Sequence, residues 1–211
     1  MASTTTITTA IQTLSISISL IASGGIAAIS LFDVPELQSQ PASRSLPSTR
    51  WLFSRGSHIF PQAASLAGAG FLYLAYAALP SATTTTGGDL LRMRHVGISG
   101  AAVNGYLAAA ALSVAIVPFT VCVMLPTTNS ALIGMNEEKG GARSAADSVA
   151  GKGGASEFTD LSGPQTRTQV STAEEDEKVR GLLDRFGKLN LMRAVLLGAG
   201  GVLGLWTALQ G

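Results

Sequence analysis

"VPFTVCVMLPTTNSAL", residues 117–132, closes the longest apolar run of the chain. Its first half suits a membrane helix. Its second half carries Pro126, Thr127, Thr128 and Asn129, after an earlier Pro118 and Thr120. In hydrocarbon a proline costs a ladder hydrogen bond, and a polar side chain has to find a partner inside the protein. The stretch is therefore either a spoiled helix end or one wall of a polar site. Which of the two depends on what the other segments bring to the same depth.

Four stretches approach the roughly 20 apolar residues that a bilayer core demands: about 7–32, 59–79, 98–125 and 189–209. They predict an all-α integral membrane four-helix bundle, one domain over the 211 residues. Composition agrees. The chain is 46% hydrophobic and 13% charged, against a usual charged share of roughly 25%. Its 24 glycines suit close helix packing in lipid. A net charge of +1 gives no basic surface for nucleic acid. The single cysteine, Cys122, lies in an apolar run and allows no internal disulfide. The first span lacks the basic leader of a signal peptide, since no Lys or Arg precedes Arg44, so a retained helix is expected.

The connections differ. Residues 33–57 read as a Ser/Pro-containing link, and 80–97 as a short one with the tract "SATTTTGGD". About 133–172 form a polar insert, long and poor in large apolar residues, expected to be disordered. Order is expected to resume at "STAEEDEKVRGLLDRFGKLN", where Ser171 and Glu174 match a capping box. Leu182, Leu183, Phe186 and Leu189 follow at helical spacing as an amphipathic lead-in to the last span. The links 33–57 and 126–188 carry three and eight basic residues, against Arg92 and Arg94 on the other side. The positive-inside rule puts the richer side in the cytoplasm.

With that topology, spans two and four begin, and span three ends, on one side. Arg55, His58 and Gln62 are spaced i, i+3, i+7, and Asn190 and Arg193 are i, i+3. A helix stacks each set on one face. Thr120, Thr127 and Asn129 arrive from span three. Arg193 lies about 6 Å inside span four, where a cation snorkels outward, pairs or faces a wet cavity. His58 and His95 fall on opposite membrane faces, so a two-histidine metal site within one chain is not expected. No paired cysteines, HExxH, dinucleotide-binding glycine motif or GxSxG elbow occurs.

"PFTVCVMLPTTNSALI" and, after the insert, "LLDRFGKLNLMRAVLLGAGGVLGLW" resemble the fungal anthrone oxygenase family, small four-helix membrane proteins that accompany polyketide synthases. Pro118, Phe119, Thr120, Pro126, Thr127, Asn129, Asn190 and Arg193 stand at the family's pattern positions, and "RWLFSRGSHIFP" fits with Trp51, Gly56 and Pro61. Pro126-Thr127-Thr128-Asn129 carries one residue more than the compact Pro-Thr-Asn form. Phe186 stands where a tryptophan is expected.

The resemblance implies oxidation of an aromatic polyketide anthrone to the anthraquinone by molecular oxygen, without a cofactor. His58 is the candidate base, and Arg193, Asn190 and Asn129 are candidates to stabilise the oxyanion. Thr120, Phe119, Thr127 and Gln62 are candidates to bind the substrate. A multi-pass protein of an internal membrane such as the endoplasmic reticulum is expected, in contact with lipid. Self-assembly stays open, and with it a metal held between chains. The competing class is a non-catalytic tetraspan protein that binds, passes or scaffolds a lipophilic metabolite. A quinone-dependent oxidoreductase is weaker, because no haem or iron–sulfur ligand set occurs.

Overall fold

Proline placement shapes the helices as much as apolar pattern does. A computed structural model of the chain describes residues 4–79, 90–141 and 167–210, and only the backbone over 90–99. The tract at 80–89, the His95 side chain and the middle of the polar insert, 142–166, lie outside the described residues. The expectation that the insert is disordered lies outside them only for 142–166; its first residues, 133–138, are helical. The described elements are α1 (Thr4–Ala28), a π-helical turn (Ile29–Asp33), α2 (Val34–Gln38), α3 (Ala42–Ala77) and α4 (Leu90–Val114). Then come α5 (Ile116–Phe119), a second π-helical segment (Thr120–Asn129), α6 (Ser130–Glu138) and α7 (Ala173–Gln210). The fold is all-α, with no strand among the described residues.

Three helical runs, Thr5–Gln38, Gly100–Glu138 and Ala173–Gln210, are long and apolar enough to cross a membrane. The expected span at 59–79 is the second half of α3. There Pro61, Gln62, Tyr73 and Tyr76 dilute the apolar run, and α3 is not among the three.

The link expected at 33–57 is helical apart from residues 39–41. Pro35 follows the π turn within the continuous run Thr5–Gln38, so its missing N–H takes one bond out of the ladder there. Pro47 lies inside α3, so it cannot donate to the Ser43 carbonyl four residues back. That carbonyl is taken instead by Thr168, through its backbone N–H at 2.8 Å and its hydroxyl at 3.2 Å. A proline that read as a loop signal is thus absorbed by a bond from a distant segment.

The third span does not end near Leu125. Pro118 interrupts the ladder at Ala115, between α4 and α5. Pro126 falls within the π segment, and the helix runs on to Glu138. At the end of each π stretch the backbone N–H reaches five residues back, Val34 to Ile29 and Ser130 to Leu125.

α7 opens on a capping box one residue later than the sequence suggests. The Thr172 N–H donates to Glu175 Oε2 at 2.7 Å, and the Glu175 N–H donates to Thr172 Oγ1 at 3.3 Å. Ser171 is left to accept from the Ser43 N–H at 3.3 Å. Lys139 pairs with Glu175 at 2.7 Å, and Asp176 accepts the Ala42 N–H at 2.7 Å, capping the start of α3. Both carboxyls are held below their ordinary range. For Glu175 the Lys139 ammonium is the main cause, and for Asp176 the Ser171 hydroxyl followed by the Ala42 N–H.

Contacts divide the chain into two compact units. One comprises Met1–Gly24, Ala63–Ile116 and Val195–Gly211. Its core is Ala67, Phe71, Leu74, Ala75, Tyr106, Ala109 and Ala110. Gly200 packs so closely that a Cβ there sits 2.9 Å from the Ala109 carbonyl oxygen, a close-packed seam of small residues. Ser19 donates to the Leu197 carbonyl at 2.8 Å. The other unit comprises Gly25–Gln62 and Val117–Ala194. Its core includes Leu46, Phe53, Met124, Leu132, Leu183 and Phe186. Every candidate site residue belongs to this second unit.

Candidate functional site

The buried face of α7 reads Val179, Leu183, Phe186, Asn190, Arg193, Leu197. Steps of four and three residues keep these on one stripe. Arg193 is therefore carried inward by helical geometry, and at 8% exposure it does not snorkel. Asn190 is 2% exposed. Its amide nitrogen donates to the Ile26 carbonyl at 3.0 Å and to Ser30 Oγ at 3.1 Å. Its amide oxygen accepts from Arg193 Nη1 at 3.1 Å. These partners fix the orientation of the amide, since a carbonyl can only accept and a guanidinium can only donate. Ile26 and Ser30 flank the start of the first π turn.

A guanidinium stays charged at any working pH. Held inside the unit against a neutral amide, it is a fixed positive group in a medium of low polarity, where it acts strongly on a developing anion.

The third span contributes Thr120, Thr128 and Asn129, all buried. The π winding explains how. At 3.6 residues per turn, nine residues make about two and a half turns, which sets Thr120 and Asn129 on opposite faces. A π helix has a little over four residues per turn, so nine residues make about two turns and both face inward. Thr128 Oγ1 is 3.0 Å from the Met124 carbonyl and 2.9 Å from Asn129 Oδ1, its single proton shared between them. Thr127, half-buried, donates to the Val123 carbonyl at 2.5 Å. Phe119 packs half-buried against the core of the unit. Thr127 bonds back to its own helix.

α3 behaves differently from expectation. His58 and Gln62 are exposed, as is Arg55, whose guanidinium lies 5.9 Å from the Trp51 ring centroid. They do share a face, but that face points outward and does not join the buried polar group. His58 Nδ1 lies 2.6 Å from the Ser54 carbonyl oxygen. A carbonyl only accepts, so Nδ1 carries a proton and Nε2 is the ring nitrogen left for other partners.

What α3 does send inward is Arg50, the largest fully buried side chain among the described residues, at 1% exposure. It was missed in the sequence because its stretch, "SRSLPSTRWLF", reads as a polar link. The signal was there in Ala42, Ser45, Leu46, Thr49, Arg50, Phe53 and Ser54, a helical stripe whose buried positions are largely small or polar.

A cavity of about 240 Å³ lies in the other unit, lined in part by Gly105, Trp206, Thr207 and Gln210. None of the candidate site residues lines it. Among the described residues, no three His, Cys, Asp or Glu side chains come together as a metal site.

Residues 50–203 match the family model described as anthrone oxygenase. No curated protein and no solved structure matches the chain.

Proposed function

The chain belongs to the anthrone oxygenase family, and we propose that it oxidises a hydroxylated anthrone to the anthraquinone with molecular oxygen and no cofactor. The observation that carries this reading is the buried pair of Arg193 and Asn190. A fixed cation inside a membrane protein suits a neutral substrate that turns anionic during reaction.

An anthrone has a methylene flanked by two rings and conjugated through them to a ketone. A base removes one methylene proton, and the electron pair delocalises onto the ketone oxygen as an anthranolate. Arg193 faces that oxygen and lowers the cost of forming it. The electron-rich anthranolate passes one electron to O2, giving superoxide and a carbon radical, which combine into a peroxide anion at the former methylene carbon, and the protonated base returns its proton to make the hydroperoxide. Loss of the second proton breaks the O–O bond, releases water and leaves a second ketone. One anthrone and one O2 thus give one anthraquinone and one water, so the substrate supplies all the electrons.

His58 is the proposed base, which requires the exposed face of α3 to meet the methylene edge of the substrate while Arg193 meets its ketone. Asn129 and Thr120 line the inner wall, with Phe119 and Thr127 beside them. Gln62 lies one turn beyond His58 on the exposed face.

Oxygen uptake by the purified protein with emodin anthrone tests the reading. Arg193→Ala is expected to lower kcat by about 10²-fold or more. His58→Ala is expected to lower it by a similar factor and to shift the pH profile. A wild-type rate in Arg193→Ala sinks the oxyanion role. A wild-type rate in His58→Ala removes only the base. A saturable spectral change without oxygen uptake points instead to a protein that binds the anthrone and does not turn it over.

A further inference from the structure

Two buried asparagines of this unit are treated differently by the protein. Every polar atom of the Asn190 amide meets a protein group. Asn136, in the last turn of α6, is 0% exposed, yet neither its amide nitrogen nor its amide oxygen finds a partner among the described residues. Buried side-chain amides are almost always paired, so an orphaned one needs an explanation.

Its placement supplies one. Asn129, Leu132, Ile133 and Asn136 are all buried and follow at steps of three, one and three. That spacing puts them on one helix face, with the two amides about 10 Å apart along the axis. Leu132 and Ile133 form an apolar stretch between them. A flat fused-ring aromatic ketone has the same order, with oxygen at both edges and hydrocarbon between.

Asn136 sits where the unit closes. The Gly141 N–H donates to the Asn136 backbone carbonyl at 2.7 Å, and the chain passes so near that any Cβ at 141 collides with the amide. The strand of chain that follows the insert bonds to both neighbours of this corner, Thr168 to Ser43 and Gln169 to Lys139. Ser45, in the adjoining first turns of α3, is also buried, and its hydroxyl likewise has no partner among the described residues. An uncharged amide offering a donor and an acceptor matches a hydroxyl, which can accept and donate at once. It does not match a carboxylate or a phosphate, for which paired cations are the usual partners.

We propose that Asn136 is the substrate-recognition residue at the second end of the site, taking a phenolic hydroxyl on the outer ring of the aromatic ketone. The assignment rests on the oxidation reading for the identity of the substrate, and on the orphaned amide for the residue.

The test uses the full-length protein in detergent, with 1,8-dihydroxyanthrone and unsubstituted anthrone as paired probes. Asn136→Leu is expected to lower kcat/KM for the dihydroxy compound by about ten- to a hundredfold and to leave the unsubstituted one unchanged. Asn136→Ser, which keeps one hydroxyl, is expected to recover part of the loss. Equal losses on both substrates mark a merely structural residue and overturn the proposal, as does no loss on either. Binding of 1,8-dihydroxyanthraquinone, followed by its visible absorbance, separates this inference from the oxidation itself. If the wild type takes up no oxygen but binds the quinone in an Asn136-dependent way, the oxidation reading falls and the recognition residue stands. If the wild type does not bind it, both fall.

Discussion

Asn190 does two jobs with one amide. Its donors hold α1 at Ile26 and the first π turn at Ser30, and its acceptor orients Arg193. Removing it takes away three hydrogen bonds at once, worth about 1 kcal/mol each, whereas Ser30 is backed by a carbonyl that keeps its other partner. Asn190→Leu is therefore expected to destabilise the protein by about 3 kcal/mol and to lose activity along with Arg193→Ala. Ser30→Ala is expected to cost less than about 1 kcal/mol. Chemical denaturation in detergent compares them, and equal costs refute the two-job account. Asn190 and Arg193 were legible in the sequence because an i, i+3 polar pair inside an apolar run has few readings. Arg50 and Asn136 were not. Both lie in stretches polar enough to pass for loops, and burial there follows from packing partners rather than from the local pattern.

At the scale of elements, the π segment gives room for the one residue by which Pro126-Thr127-Thr128-Asn129 exceeds the Pro-Thr-Asn form of the resemblance. An α helix absorbs one inserted residue by widening a few turns, and the proline, lacking an N–H, makes the α register the poorer alternative there. Thr127 and Thr128 satisfy carbonyls four residues back with their hydroxyls. Deleting Thr128 places the asparagine eight residues after Thr120, about 80° away in α winding and still on the buried half of the helix. The shortened protein is expected to fold and to keep most of its activity. Deleting Ala110 from the regular turns of α4 rotates all that follows by about 100° and is expected to abolish folding. Size-exclusion behaviour and oxygen uptake decide, and equal failure of the two deletions refutes the absorbed insertion. The sequence showed the extra residue but not its consequence, because a helix end and a helix widening both begin with proline and threonine. The cap of α7 misled in a milder way, since Ser171 and Thr172 both precede an acidic residue by three.

Across the whole chain, apolar run length was the readable quantity, and of the four spans it marked, three lie in helices long and apolar enough to cross a membrane. It could not show where polar helices continue beyond the bilayer. α7 has 38 residues, about 57 Å, against a hydrocarbon core of about 30 Å, so its acidic head stands outside the apolar layer. That head is where the second unit is fastened. Lys139 binds Glu175, and Asp176 caps α3 through Ala42. Both carboxyls sit below their ordinary range in the folded protein. A carboxyl lowered on folding contributes stability that is full above its unfolded value, near pH 4, and that is lost as pH falls through the folded value. Melting of the wild type in detergent is therefore expected to be flat from neutral pH down to about pH 5 and to fall below about pH 4. The double variant Glu175→Gln, Asp176→Asn is expected to melt lower at neutral pH and to show a shallower acid fall, because the groups whose protonation loosens the wild type are gone. Raising salt at neutral pH is expected to narrow the gap between the two proteins, since the Lys139–Glu175 pair is partly exposed and open to screening. An acid fall of the same depth in both proteins places the acid-sensitive contacts elsewhere in the chain.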